Sequence, residues 1–146
     1  MELATLDVNC DPNCDGRLNV VTTTLSAPAE LWLNDSPGAA HWLDLKLEGK
    51  TSNPDGIGAR IQVTAGGRVQ YNHVSFAAGY ASSSAAPTHF GLGPAASASL
   101  IEIHWPSGIV QELKNVAADR VIRVKEAVPE LILPVVTTVD GRLGGR

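Results

Sequence analysis

Between residues 41 and 48 the chain reads HWLDLKLE, with Leu43, Leu45 and Leu47 at every second position and Asp44, Lys46 and Glu48 between them. Successive side chains of an extended strand point to opposite faces, so such alternation demands a pleated ribbon buried on one side. The same period recurs along the chain between Gly, Pro, Asn and Asp punctuation, and apolar residues spaced for one face of a helix are nearly absent. The expected fold class is all-β, a small antiparallel β-sandwich or barrel of about eight or nine short strands. The segments that alternate are 17–25, 29–34, 41–48, 58–65, 68–76, 99–105, 109–113 and 120–125. A weaker ninth run, 130–136, contains Pro134, which suits an edge strand rather than a central one.

Two hairpins are readable in the turn residues. Segments 58–65 and 68–76 meet at Gly66 and Gly67. A two-residue turn would set Val63 opposite Gln70, whereas a three-residue loop of Ala65, Gly66 and Gly67 pairs Val63 with Val69, Ile61 with Tyr71 and Ala59 with His73. The second choice keeps one face apolar, so it is the expected one. Trp105-Pro106-Ser107-Gly108 is the other turn, with Pro at the first central position and Gly at the last. Small residues, Gly and Pro crowd the stretch 77–99, which is expected to be a surface loop, and the tail from Val139 a frayed terminus.

Composition narrows the classes of function. A chain that is 44% hydrophobic and 18% charged can fill a core, which excludes disorder for most of it. Eleven Lys and Arg against fifteen Asp and Glu give a net charge of −4, the wrong sign for gripping a phosphate backbone, so no nucleic-acid partner is expected. Residues 69–101 carry no Asp, Glu, Lys or Arg, but Gly79, Pro87, Gly91, Gly93 and Pro94 interrupt them, so no transmembrane segment is expected there. The first residues, MELATLDVNC, place acids where a secretory leader has basic and apolar ones. The chain is then either cytoplasmic or one whose leader has been removed.

The one stretch with ligand-like spacing is 11–19, DPNCDGRLN. Asp11, Asn13, Asp15 and Asn19 carry side-chain oxygens at alternate positions, Gly16 stands sixth, and the backbone carbonyl of Arg17 completes a set of five. A hard cation such as calcium wants several oxygens converging from one tight turn, and glycine lets the backbone wrap around it. A register beginning at Asp7 would put Pro12 in the sixth place, where positive φ is needed. Thr22 occupies the twelfth position, so the loop is not an EF-hand, and with two carboxylates calcium affinity should be modest. A plain turn is the competing reading. Cys10 and Cys14 flank the loop, either as a clasp in an oxidising compartment or as two thiols.

Catalytic motifs are wanting. Histidines 41, 73, 89 and 104 lack zinc spacing, no GxSxG elbow occurs, and no catalytic residue is nominated. His89 and His104 are expected to satisfy local hydrogen bonds, Asp44 and Glu48 to lie on the solvated face of their strand, and Trp32, Trp42 and Trp105 to pack in the core rather than form a sugar platform.

Three separated segments, HWLDLKLEGKTSNPDGIGARIQVTAGGRVQ (41–70), GYASSSAAPTHFGLG (79–93) and IEIHWPSGIVQELKNVAADRVIRV (101–124), resemble the ASPIC/UnbV domain, in order. Residues 7–36 resemble the end of an FG-GAP/VCBS-type β-propeller repeat, its calcium loop followed by two strands, with Asn13 and Asn19 where that family commonly has Asp. The resemblance implies a three-part layout: a repeat remnant at 1–36, a β domain at 37–128 and a tail at 129–146. It also implies an extracellular or cell-envelope setting, with residues 17–34 packed on the domain or paired with another copy of the chain, since natural sheets cover their edges.

The expected function is therefore a non-catalytic module for adhesion or recognition of a protein or glycan ligand, with calcium stiffening the N-terminal loop. The uncharged 69–101 region is the expected contact surface. Two alternatives stand beside it: a hydrolase acting on glycan or ester substrates through His89 or His104 and a nearby carboxylate, and a structural cap or homo-oligomerisation unit. An enzyme should show a concave pocket in which a histidine meets an acid within hydrogen-bond reach, whereas the module should show none.

Overall fold

A computed structural model describes residues 5–10, 15–23, 27–38, 40–79 and 82–128. In chain order the strands are β1 (Thr5–Cys10), β2 (Asn19–Thr23), β3 (Glu30–Trp32), β4 (His41–Glu48), β5 (Arg60–Ala65), β6 (Arg68–His73), β7 (Ala77–Gly79), β8 (Ser82–Ser83), β9 (Thr88–Gly93), β10 (Ser97–His104), β11 (Val110–Ala117) and β12 (Arg120–Lys125). No helix occurs among the described residues, so the all-β reading holds, and none there is long and apolar enough to cross a membrane.

Two sheets carry the core, one ordered β11-β10-β5-β6 and the other β12-β4-β9. Leu43, Leu45 and Leu47 of β4, with Phe90 and Leu92 of β9 and Val124 of β12, meet Ile61, Val63 and Ala65 of β5 and Ala98, Ile101 and Ile103 of β10. Each strand contributes alternate residues, as a sheet with one dry face must. The spacing of three between Ala98 and Ile101 is accommodated by a bulge at Ser99, where the β5–β10 register shifts. Burying these branched chains contributes about 1.5–3 kcal/mol each before conformational entropy is charged against them.

β12 runs parallel to β4, which departs from the wholly antiparallel sandwich expected. A parallel pair needs a long crossover, and the chain between these two strands supplies it by building the whole of the opposite sheet. β1, β2 and β3 form a separate antiparallel ribbon, and β7 with β8 a short one.

The β5–β6 hairpin corrects the expected register. Its turn has two residues, Gly66 and Gly67, with φ of +54° and +75°, and it pairs Val63 with Gln70 and Ile61 with Asn72. Two consecutive positive-φ glycines fit the mirror-image turn that matches strand twist. The apolar-to-apolar argument failed because β6 is an edge strand whose core-side residues sit at the rim. Gln70 there donates to the Gly91 carbonyl at 2.8 Å, bridging to β9, while Val69 and Tyr71 turn outward. The second turn is as expected: the Gly108 N–H donates to the Trp105 carbonyl at 2.9 Å.

The stretch 77–99 is not a loop. It holds β7, β8, β9 and the start of β10, and Phe90 and Leu92 lie in the core. THFGLG alternates, but glycines at the outward positions hid the pattern. Of the tryptophans only Trp105 is buried; Trp42 is half-buried and Trp32 is 62% exposed, against the expectation that all three fill the core. The run 130–136 and the tail lie outside the described residues.

Past β12, Glu126 returns to close the sandwich. Its carboxylate accepts from the backbone N–H groups of Lys50, Thr51 and Ser52 at 2.7, 2.7 and 2.8 Å. It also takes the hydroxyls of Ser52 and Ser107 at 2.7 and 2.5 Å. Burial raises its pKa, but the bonds from Ser107, Ser52 and Lys50 together outweigh burial and leave the group lowered to about 2. A buried carboxylate so fully satisfied fastens the 49–53 loop to the end of β12.

A candidate functional site where the ribbon meets the sandwich

Of the five expected calcium ligands, Asp11 and Asn13 lie outside the described residues, as does the pairing of Cys10 with Cys14. The other three share one loop. Gly16 has φ +80°. Asp15 Oδ1 accepts from the Arg17 backbone N–H at 2.9 Å, and its Oδ2 pairs with the Arg17 guanidinium at 3.2 Å. Asn19 is 1% exposed. Its amide donates to the Arg17 carbonyl at 3.1 Å and its oxygen accepts from the Asn34 N–H at 2.8 Å. Asn34 in turn accepts from the Ser36 hydroxyl at 2.6 Å. These bonds pre-shape the loop. Among the described residues no three His, Cys, Asp or Glu side chains converge in metal-binding geometry.

The same loop closes one side of a cleft of about 680 Å³, whose other walls come from Asn34 and residues 36–38, the start of β4, β9 at His89 and Gly91, and Asp119. Gly16 presses on the Trp42 indole so closely that an added Cβ would lie 2.0 Å from its Cδ1 and Nε1. Arg17 reaches across to the Gly38 carbonyl at 3.3 Å. The loop that leads into β2 thus rests on Trp42, while β1 runs beside β7 and β8.

Two histidine–carboxylate pairs flank that indole. His89 on β9 lies 2.7 Å from Asp44 on β4, both largely buried, because the β4–β9 register places them directly opposite. The His89 ring also stacks on Trp42 with centroids 6.3 Å apart and planes 17° from parallel. His41 Nδ1 lies 2.7 Å from Asp119 Oδ2. Asp119 follows β11 with φ +58°; its other oxygen accepts from the Trp42 N–H at 3.3 Å, and its own N–H donates to the Trp42 carbonyl at 2.7 Å. The hydrogen bond from His41 draws the Asp119 carboxyl below the usual carboxylate range, against the opposing effect of desolvation. Asp44 is therefore not on a solvated face as expected, and His41 and Asp119 carried no sequence signal beyond their residue types. His89 satisfies a local hydrogen bond, as expected. His104 lies away from the cleft, on the outer face of the other sheet.

No curated protein matches the chain. Residues 49–130, more than half of it, match the family model described as ASPIC and UnbV. That span runs from the 49–53 loop, through the Gly66-Gly67 hairpin and the Trp105–Gly108 turn, to Glu126 and just beyond, so it includes the clasp that ties the 49–53 loop and the Trp105–Gly108 turn to the end of β12. The chain belongs to the ASPIC/UnbV family, a β-rich domain common in extracellular proteins.

Proposed function

We propose that the chain is a non-catalytic β module of an extracellular or envelope protein, serving adhesion or ligand recognition. What supports this reading is structural work in both pairs: Asp119 clamps both backbone groups of Trp42 as well as meeting His41, and Asp44–His89 bridges two paired strands. A general base has to face a nucleophile or a water. Here the neighbouring hydroxyl, Ser36, donates to Asn34 instead. The pairs act as ties between strands, and Trp42 as the anvil on which the 15–18 loop rests.

The ribbon is read as the end of an FG-GAP/VCBS-type repeat. In support, Leu31, Trp32 and Leu33 at its outer edge are exposed, the kind of apolar surface a neighbouring blade covers. Calcium held by Asp11, Asn13, Asp15, Asn19 and the Arg17 carbonyl belongs to the same reading, and would fix the loop that bears Gly16. Thermal melting of the full chain in millimolar calcium and in chelator tests it. A cation at ten times its Kd adds about 1.4 kcal/mol, so the melting temperature should rise by a few degrees; an unchanged value rejects the site.

A hydrolase acting on glycan or ester substrates is the second reading, favoured by the presence of histidine–carboxylate pairs in a cleft. Chromogenic esters and glycosides distinguish the two. The recognition reading expects no turnover above buffer; turnover abolished by His89→Asn would replace it.

A further inference from the structure

The outer face of the four-stranded sheet carries a second, unrelated arrangement. In register across β10, β5 and β6, His104, Arg60 and His73 stand directly opposite one another. One step along the strands the row reads Glu102, Gln62 and Tyr71, with Glu112 beyond it on β11. A cavity of about 580 Å³ opens over Arg60, Gln62, Tyr71, His73 and His104. Basic side chains set opposite each other on neighbouring strands repel when charged, so the row gains from an anion laid across it. Glu102, one residue pair along the same face, accepts from the Gln62 amide at 2.7 Å.

The surroundings define which anion. Glu102 and Glu112 on the same face, and a net charge of −4, disfavour a densely charged polymer such as nucleic acid. A ligand with single, spaced negative charges is tolerated. Tyr71 is 76% exposed and stands diagonally across from Arg60, one pair along the β5–β6 register, about 7–8 Å away, so its ring offers a flat apolar surface one sugar's width from Arg60. A pyranose with a carboxylate on its ring fits both: the apolar sugar face on the phenol, the carboxylate on the guanidinium fork.

We propose that this face binds a uronate residue of an acidic polysaccharide, with its carboxylate on Arg60 between His73 and His104 and its ring on Tyr71. The inference rests on the recognition reading but uses a surface away from the cleft. Titration calorimetry of the full chain with trigalacturonate, with neutral maltotriose and with inorganic phosphate tests it, alongside Arg60→Gln, Tyr71→Ala and, on the opposite outer face, Arg123→Gln. Arg60 and Tyr71 are exposed, and melting curves check that their variants fold. Trigalacturonate should bind, Arg60→Gln and Tyr71→Ala should each weaken it at least tenfold, and Arg123→Gln should leave it unchanged. Absence of trigalacturonate binding, binding indifferent to Arg60→Gln, or equal binding of phosphate would each overturn the proposal. Maltotriose bound as tightly as trigalacturonate would do so too, while leaving the recognition reading in place.

Discussion

Gly16 shows how much one residue can decide. Its φ of +80° and its contact with the Trp42 indole both exclude a side chain. Gly67 has similar backbone geometry, φ +75°, but open space around it. Gly67→Ala should therefore cost only the conformational strain, about 1 kcal/mol, whereas Gly16→Ala should cost that and also push the 15–18 loop off the sandwich. Urea melts compare the two, and tryptophan fluorescence should shift only for Gly16→Ala. Equal costs and no spectral change would mean that the indole is not the docking surface.

Glu126 makes the complementary case for charge. Its pKa is lowered from 4.5 to about 2 in the folded chain, so its contribution is fully present above the unfolded value and is lost as pH falls from about 4.5 through about 2. Wild type and Glu126→Gln should differ in melting temperature at pH 7 and converge towards pH 2. A gap that stays constant across that window would show that the carboxylate's charge is not what holds the 49–53 loop.

At the scale of the strand, the alternating pattern made most of the sandwich legible. β4, β5, β10 and β12 fall where Leu43, Ile61, Ile103 and Val124 announce a buried side. It failed where glycine or solvent broke the contrast. β9 presents only Phe90 and Leu92 between glycines, and β6 puts its apolar residues outward because an edge strand has little core to face. The histidine pairs were unreadable for the same reason, since Asp44 meets His89 only through a β4–β9 register that requires β9 to be a strand. Of the 11–19 loop, Gly16 and the oxygen spacing were visible in the sequence, but the role of Asn19 as a buried link to Asn34 was not, because that bond joins residues fifteen apart. If β9 belongs to the core, Phe90→Ala should destabilise by about 3–5 kcal/mol, while Ser97→Ala on an exposed strand end should stay within about 0.5 kcal/mol. Chemical denaturation measures both, and a Phe90→Ala cost below about 1 kcal/mol would return the segment to a loop.

For the molecule as a whole, two surfaces divide the work. The outer face of the three-stranded sheet receives the 15–18 loop over Trp42, and the outer face of the four-stranded sheet carries Arg60 and Tyr71. On this account the cleft's histidines hold the assembly together, and the most direct test is a double-mutant cycle of His89→Asn and Asp44→Asn, read by denaturant unfolding. A structural tie predicts that each single change destabilises by about 1–2 kcal/mol, with a coupling energy of about 1 kcal/mol between them. Variants as stable as the parent, with zero coupling and loss of a measurable hydrolytic rate, would contradict the account and make the pair catalytic.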